Sequence, residues 1–112
     1  MGQLIKNIDH STPFELINLV EYEKGKVASL TLAQKPGVGV TLFAIDEGEG
    51  LSTHSAPGDA MVVILEGEAE VTIDGKAFRA KIGEGIVMPA EIPHGVKAIT
   101  KIKMFLVVIK NA

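Results

Sequence analysis

Glu68-Ala69-Glu70-Val71-Thr72-Ile73-Asp74-Gly75-Lys76-Ala77-Phe78-Arg79-Ala80-Lys81-Ile82 reads as two short strands, Glu68–Ile73 and Lys76–Ile82, joined by a two-residue loop. Asp-Gly at the centre is the signature of a type I′ turn, because both central residues must take positive φ and these residue types tolerate it. Setting Ile73 opposite Lys76 places Val71 against Phe78 and Ala69 against Ala80 on one face. The same register places Glu70 against Arg79 and Glu68 against Lys81 on the other. Apolar pairs then fall inward and opposite charges outward, each cross-strand pair worth roughly 0.2–1 kcal/mol. A one-residue slip forfeits both sets at once.

The period of two continues outward from this hairpin. Val27, Ser29, Thr31 and Ala33 alternate with Ala28, Leu30, Leu32 and Gln34, and Val38, Val40, Leu42 and Ala44 begin a return strand. Pro36-Gly37 between them predicts a type II turn, with Pro at its first central position and Gly at its second. Further strands are expected over Leu51–Ala56, Ala60–Leu65, Ile86–Pro89, Val96–Ile99 and Ile102–Ile109, punctuated by glycines. Short strands at this spacing give an all-β sandwich or barrel of about eight to ten strands. We place the barrel at residues 26–112 of a single domain spanning 1–112. In residues 1–25, Ser11-Thr12-Pro13 either caps a short helix carrying Phe14, Leu16, Ile17 and Val20 on one side, or runs as extended chain with an edge strand. A short helix needs tertiary support to persist.

Composition narrows the function classes. The 112 residues carry 11 Lys+Arg against 14 Asp+Glu, a net charge of −3, with no cysteine. A chain of this length has no room for separate cofactor and substrate domains. Lacking cysteine, it has no disulfides, no thiolate nucleophile and no sulfur-based metal site. Mild acidity and scattered aromatics (Phe14, Tyr22, Phe43, Phe78, Phe105) argue against a nucleic-acid partner, which needs cationic grooves and stacking rings. No apolar run approaches the ~18 residues of a membrane span. Met1–Lys6 lacks a secretory apolar region, and Lys6 breaks the myristoylation pattern. The expected compartment is the cytoplasm.

Three histidines are candidates for chemistry. His10, among Asn7, Asp9 and Ser11, reads as solvated surface. His54 shares strand parity with Ser52 and Ala56, and His94 follows the rigid turn Pro89-Ala90-Glu91-Ile92-Pro93. Gly48-Glu49-Gly50 and Gly83-Glu84-Gly85 are turn glycines rather than phosphate loops, since no helix or Lys-Ser/Thr follows them. Ser52, Thr53, His54 and Ser55 lie too close along one strand to form a hydrolase triad.

Gly48, His54 and Gly67, then Gly83, Pro89 and His94, fall at the spacing of two motifs, G-x5-H-x-H-x3-E-x6-G and G-x5-P-x-G-x2-H-x3-N. In this the chain resembles the cupin family, and the His54–Ala60 stretch is similar to that of small single-domain bacterial cupins. The resemblance implies a double-stranded β-helix, or jelly-roll, barrel and a homodimer. Ile102–Ile109, apolar on both parities, fits an interface or a place between sheets. The family's four metal ligands carry over onto His54, Ala56, Ala60 and His94, so only the metal ligands His54 and His94 remain. The second motif's Gly is Glu91 here, and its Asn is Ala98. Two imidazoles are too few for a catalytic zinc or a non-haem iron. Asp59 is expected to point away from the lumen, whereas Glu91 either swings inward or faces water. No cofactor is therefore expected, or at most a weakly held divalent transition metal.

The expected pocket comprises Ser52, His54, Ala56, Ala60, Val62 and His94, taking a small organic ligand as the partner. A lumen filled by Val62 and Met88 is the competing arrangement. An enzyme, weakly metal-dependent or metal-free and isomerase- or oxygenase-like, is the alternative function, because imidazole ordinarily titrates near ~6.5 and suits proton transfer. A scaffold with an inert lumen is the third. No catalytic residue is assigned.

Overall fold

The computed structural model describes residues 4–111. Met1–Gln3 of the N-terminal reading and Ala112 of the expected barrel lie outside the described residues. Nine strands form among the described residues: β1 (Val27–Lys35), β2 (Val38–Ile45), β3 (Gly50–His54), β4 (Asp59–Glu66), β5 (Glu68–Ile73), β6 (Lys76–Lys81), β7 (Gly85–Met88), β8 (His94–Ala98) and β9 (Ile102–Ile109). All pair antiparallel, in a five-stranded sheet of order β1-β2-β9-β4-β7 and a four-stranded sheet of order β3-β8-β5-β6. The fold is all-β, as the periodicity predicts. No helix among the described residues is long and apolar enough to cross a membrane.

The Asp74-Gly75 hairpin has the expected register at every pair from Glu68↔Lys81 to Ile73↔Lys76, with φ of 51° and 80° at its two turn residues. Two details differ. Val71 is fully buried, but its partner Phe78 is 36% exposed, because β6 is the outermost strand of its sheet and no further strand pairs with its far side. The Lys76 ammonium lies over the Phe78 ring instead, 5.3 Å from its centre. Arg79 makes its ion pair diagonally with Glu68 rather than with Glu70 directly opposite. The Pro36-Gly37 link also departs from expectation. A type II turn requires positive φ at its second central residue, and Gly37 is not among the glycines that have it, so the turn is not type II.

The core has two parts. Val62, Ile64, Val71, Ile102 and Met104, all fully buried, fill the space between the sheets. Val20, Ala28, Leu32, Leu42 and Ala44 form a second cluster, on the face of the five-stranded sheet turned away from the lumen. The N-terminal segment supplies its cover, but neither as a helix capped by Ser11 nor as an edge strand. It makes a single 3₁₀ turn, Leu16–Asn18, with no capping side-chain bond. Positive φ at Asn7 and Ser11 breaks any longer helical run upstream. The Lys6 N–H donates to Leu32 O at 2.8 Å and Asn7 Nδ2 to Thr31 O at 2.7 Å, docking the segment where β1 bulges. Tyr22 donates its hydroxyl to Glu66, and Lys103 Nζ donates to Ile17 O at 2.6 Å. Burial, reinforced by the Glu66 carboxylate, pushes the Tyr22 phenol well above its ordinary range.

Asp46 fastens the other end of this segment. Its carboxylate accepts from Gly25 N–H at 2.6 Å and Glu47 N–H at 2.9 Å, and these two bonds hold its pKa below the usual 3.8. A carboxyl depressed in the folded state stabilises it above the unfolded value and loses that contribution as pH falls through the folded one. Asp46→Ala should therefore lower the melting temperature at neutral pH, and the gap from the natural chain should close below pH 3.8. A gap that stays constant through acid would show that the two bonds carry no charge-dependent stability.

Candidate functional site

His54 and His94 meet because their strands pair them. His54 ends β3 and His94 opens β8, and the two are direct Cα partners across that ladder. β8 thus begins two residues earlier than the periodicity suggests, while β3 stops at His54, leaving Ala56 in the following loop. A register shift between Leu51 and His54 sets the match. The ring centres lie 4.6 Å apart at 67°. His94 is 3% exposed, whereas His54 stands at the open rim.

Each ring is oriented by its own backbone. His54 Nδ1 lies 2.8 Å from Ser52 O, and His94 Nδ1 lies 3.0 Å from Ile92 O. A carbonyl only accepts, so Nδ1 carries the hydrogen in both rings, and in the neutral imidazole Nε2 is left with a lone pair. Nε2 of His94 has no partner among the described residues, yet no buried side-chain nitrogen or oxygen among them goes unpaired. It therefore opens onto accessible space.

That space is a chamber of about 590 Å³ inside the barrel, lined by Ser52, His54, Ala56, Ala60 and His94 of the expected set. Val62 is absent from the lining: it shares parity with Ala60 but is fully buried in the core below. Met88 contributes to the wall without closing the chamber. The sequence reading misses Val27, Phe43, Leu51, Leu106 and Val108, which supply most of the apolar wall. Alternation along β9 carries the signal for Leu106 and Val108, because they share the inward parity of Ile102 and Met104.

The loops before and after the pair are tied together. Glu91 N–H donates to Ala56 O at 2.7 Å, and Ala90 N–H to Asp59 Oδ1 at 2.8 Å. Asp59 is exposed and committed to that bond, so it does not reach the lumen. Glu91 is also exposed, and its φ of 68° is the left-handed conformation for which glycine is the ordinary choice. No cluster of three or more His, Cys, Asp or Glu able to hold a metal ion occurs among the described residues. Two imidazoles backed only by Ala56 and Ala60 do not fit a resident catalytic metal.

Residues 41–110 match the cupin domain family. The chain belongs to that family. Among solved structures, this cupin is similar to a conserved protein of unknown function from Streptococcus pyogenes, at 43% identity and a TM-score of 0.96 over 99% of this chain and 97% of that one. It is similar to a cupin superfamily protein from Desulfitobacterium hafniense, at 29% identity and 0.91 over 96% and 98%. A cupin 2 conserved barrel domain protein from Leptotrichia buccalis is 44% identical, with a TM-score of 0.84 over 87% of this chain and 47% of that one. No curated protein matches the sequence. In this cupin His10 stands apart from the lumen, its Nε2 donating to Ile5 O at 2.7 Å.

Proposed function

We propose that this cupin binds a small organic molecule in its lumen, with no resident metal. The supporting observation is the paired imidazoles, each held by its own carbonyl with Nε2 as a free acceptor, above an apolar wall of Val27, Phe43, Met88, Leu106 and Val108. A volume near 590 Å³ is that of an ordinary ligand pocket, apolar with a few convergent polar groups. Lone pairs on the two Nε2 atoms select a ligand whose polar end donates, such as a hydroxyl or an amine, and whose body is apolar. The same lone pairs are competent general bases. Metal-free turnover of the bound molecule is accordingly the second reading.

Thermal shift of the untagged chain against small apolar alcohols, phenols and amines tests the first. A ligand at about 100 times its Kd should stabilise the fold by about 2.7 kcal/mol. Ala60→Phe, which sets a ring into the chamber that Ala60 lines together with both histidines, should weaken that shift without unfolding the barrel. A library that moves neither chain would leave the lumen inert and overturn the reading. Consumption of a bound compound, lost in His94→Gln, would move the case to the enzyme.

A further inference from the structure

The polar atoms offered to the chamber are nearly all of one kind. Both rings give Nδ1–H to a backbone carbonyl and present Nε2 as an acceptor. The ring centres lie 4.6 Å apart, so one small head group can reach both lone pairs through hydrogen bonds of ~2.9 Å. Among the described residues no lysine, arginine, aspartate or glutamate lines the wall, and Ser52 supplies the one other polar side chain. A carboxylate or phosphate would meet two lone pairs and no cation, which disfavours it. A hydroxyl serves one ring only, having a single hydrogen to give. A head that serves both must carry at least two N–H bonds on one atom.

The rim adds a sign to this preference. The two loops that meet there, residues 52–59 and 89–95, contain Asp59 and Glu91 and neither lysine nor arginine. Both acidic residues are exposed, and the loops are joined through Ala90 N–H to Asp59 Oδ1 and Glu91 N–H to Ala56 O. Ala56 in turn lines the chamber, so both acids stand beside its mouth. Charge of one sign around a concave entrance focuses a field that concentrates the opposite charge there. Sinking an ammonium into an apolar cavity is costly. His54 is exposed at the rim, however, which leaves a head held between the rings part of its hydration while its body extends over Phe43, Leu106 and Val108.

We propose that the ligand of this lumen is a primary amine in its ammonium form, with an apolar body, whose N–H bonds bridge His54 Nε2 and His94 Nε2. The inference rests on the lumen being a ligand site, and narrows its ligand from any donating head to a cationic one with several hydrogens. Hydrogen bonds from a charged donor are roughly twice as strong as neutral ones, so the amine should exceed an alcohol of the same body.

Four compounds sharing a phenethyl body separate the contributions: the amine, the alcohol, the trimethylammonium cation and the carboxylate. Titration calorimetry of the untagged chain at neutral pH should show the amine binding at least ~10-fold tighter than the alcohol. The trimethylammonium cation, with the same charge but no N–H, should bind no better than the alcohol, and the carboxylate should not bind. His54→Phe keeps a ring at an exposed position and removes one acceptor, so it should erase the amine's advantage. Asp59→Asn with Glu91→Gln should weaken the amine at low salt, less as salt rises, and leave the alcohol unchanged. An alcohol or a trimethylammonium cation that matches the amine, or a bound carboxylate, overturns the inference while leaving the lumen a ligand site. So does a folded His54→Phe variant that keeps the preference. Silence from all four also overturns it, and the reading of the lumen as a ligand site falls with it only when the wider set of alcohols and phenols is silent too.

Discussion

Replacing Ala56 by His and Ala60 by Glu in one chain is expected to create binding of nickel, zinc or iron at least ~10²-fold tighter than in the natural sequence. Both positions line the same chamber as the histidine pair. Ala60 is buried on β4 facing inward, and Ala56 is tied in its loop by the Glu91 N–H, which donates to its carbonyl. The existing rings already have the bearing of metal ligands, with Nδ1–H given to a carbonyl and Nε2 free, an arrangement that fixes tautomer and ring orientation. A carboxylate and a third imidazole complete the donor set that two nitrogens lack. Titration calorimetry on untagged protein measures the gain, and adding His54→Ala to the double variant should erase most of it. A folded double variant with no gain would mean that Ala56 and Ala60 do not aim at the histidines, and the family's ligand positions would not transfer to this chain.

The legibility of these features follows the range of the interactions that set them. The Asp74-Gly75 hairpin is readable to the residue because its turn, its apolar pairs and its charges lie within fourteen consecutive positions. The inward parity of Ser52, His54 and Ala60 is equally local. The facing of His54 and His94 depends on a shift between Leu51 and His54, which single-strand alternation does not encode, so only motif spacing points to the pair. Val62 lies one layer deeper than expected: parity says which way a side chain points but not how deep it lies. The N-terminal segment is least legible, since its fold is decided by the bulge in β1, by Tyr22 on Glu66 and by Lys103 on Ile17 O, all distant in sequence. Ile102–Ile109, apolar on both parities, is an ambiguous signal. Its two faces serve two surfaces, Leu106 and Val108 walling the lumen while Phe105 and Val107 lie on the outer face.

Gly67→Ala should cost at least ~3 kcal/mol of folding stability, whereas Gly75→Ala should cost about 1 kcal/mol. The two glycines have nearly the same backbone, with φ of 83° and 80°, so conformational preference alone predicts equal losses. Their surroundings differ. A Cβ at Gly75 meets nothing within 4 Å, but one at Gly67 would lie 1.9 Å from Lys101 O and 2.8 Å from Thr100 Oγ1. Neither atom is free to retreat. Thr100 Oγ1 accepts the Glu68 N–H at 3.0 Å, and Lys101 immediately precedes β9, the central strand of its sheet. Relief of the clash must therefore displace the strand that carries Leu106 and Val108 into the chamber. Urea denaturation of the two variants measures the difference, and ligand binding should weaken in Gly67→Ala while surviving in Gly75→Ala. Equal losses would show that φ alone makes Gly67 necessary. An unequal pair would give the closing glycine of the first motif a physical reason, the close approach of the β4–β5 turn to the start of β9, independent of any chemistry at the site.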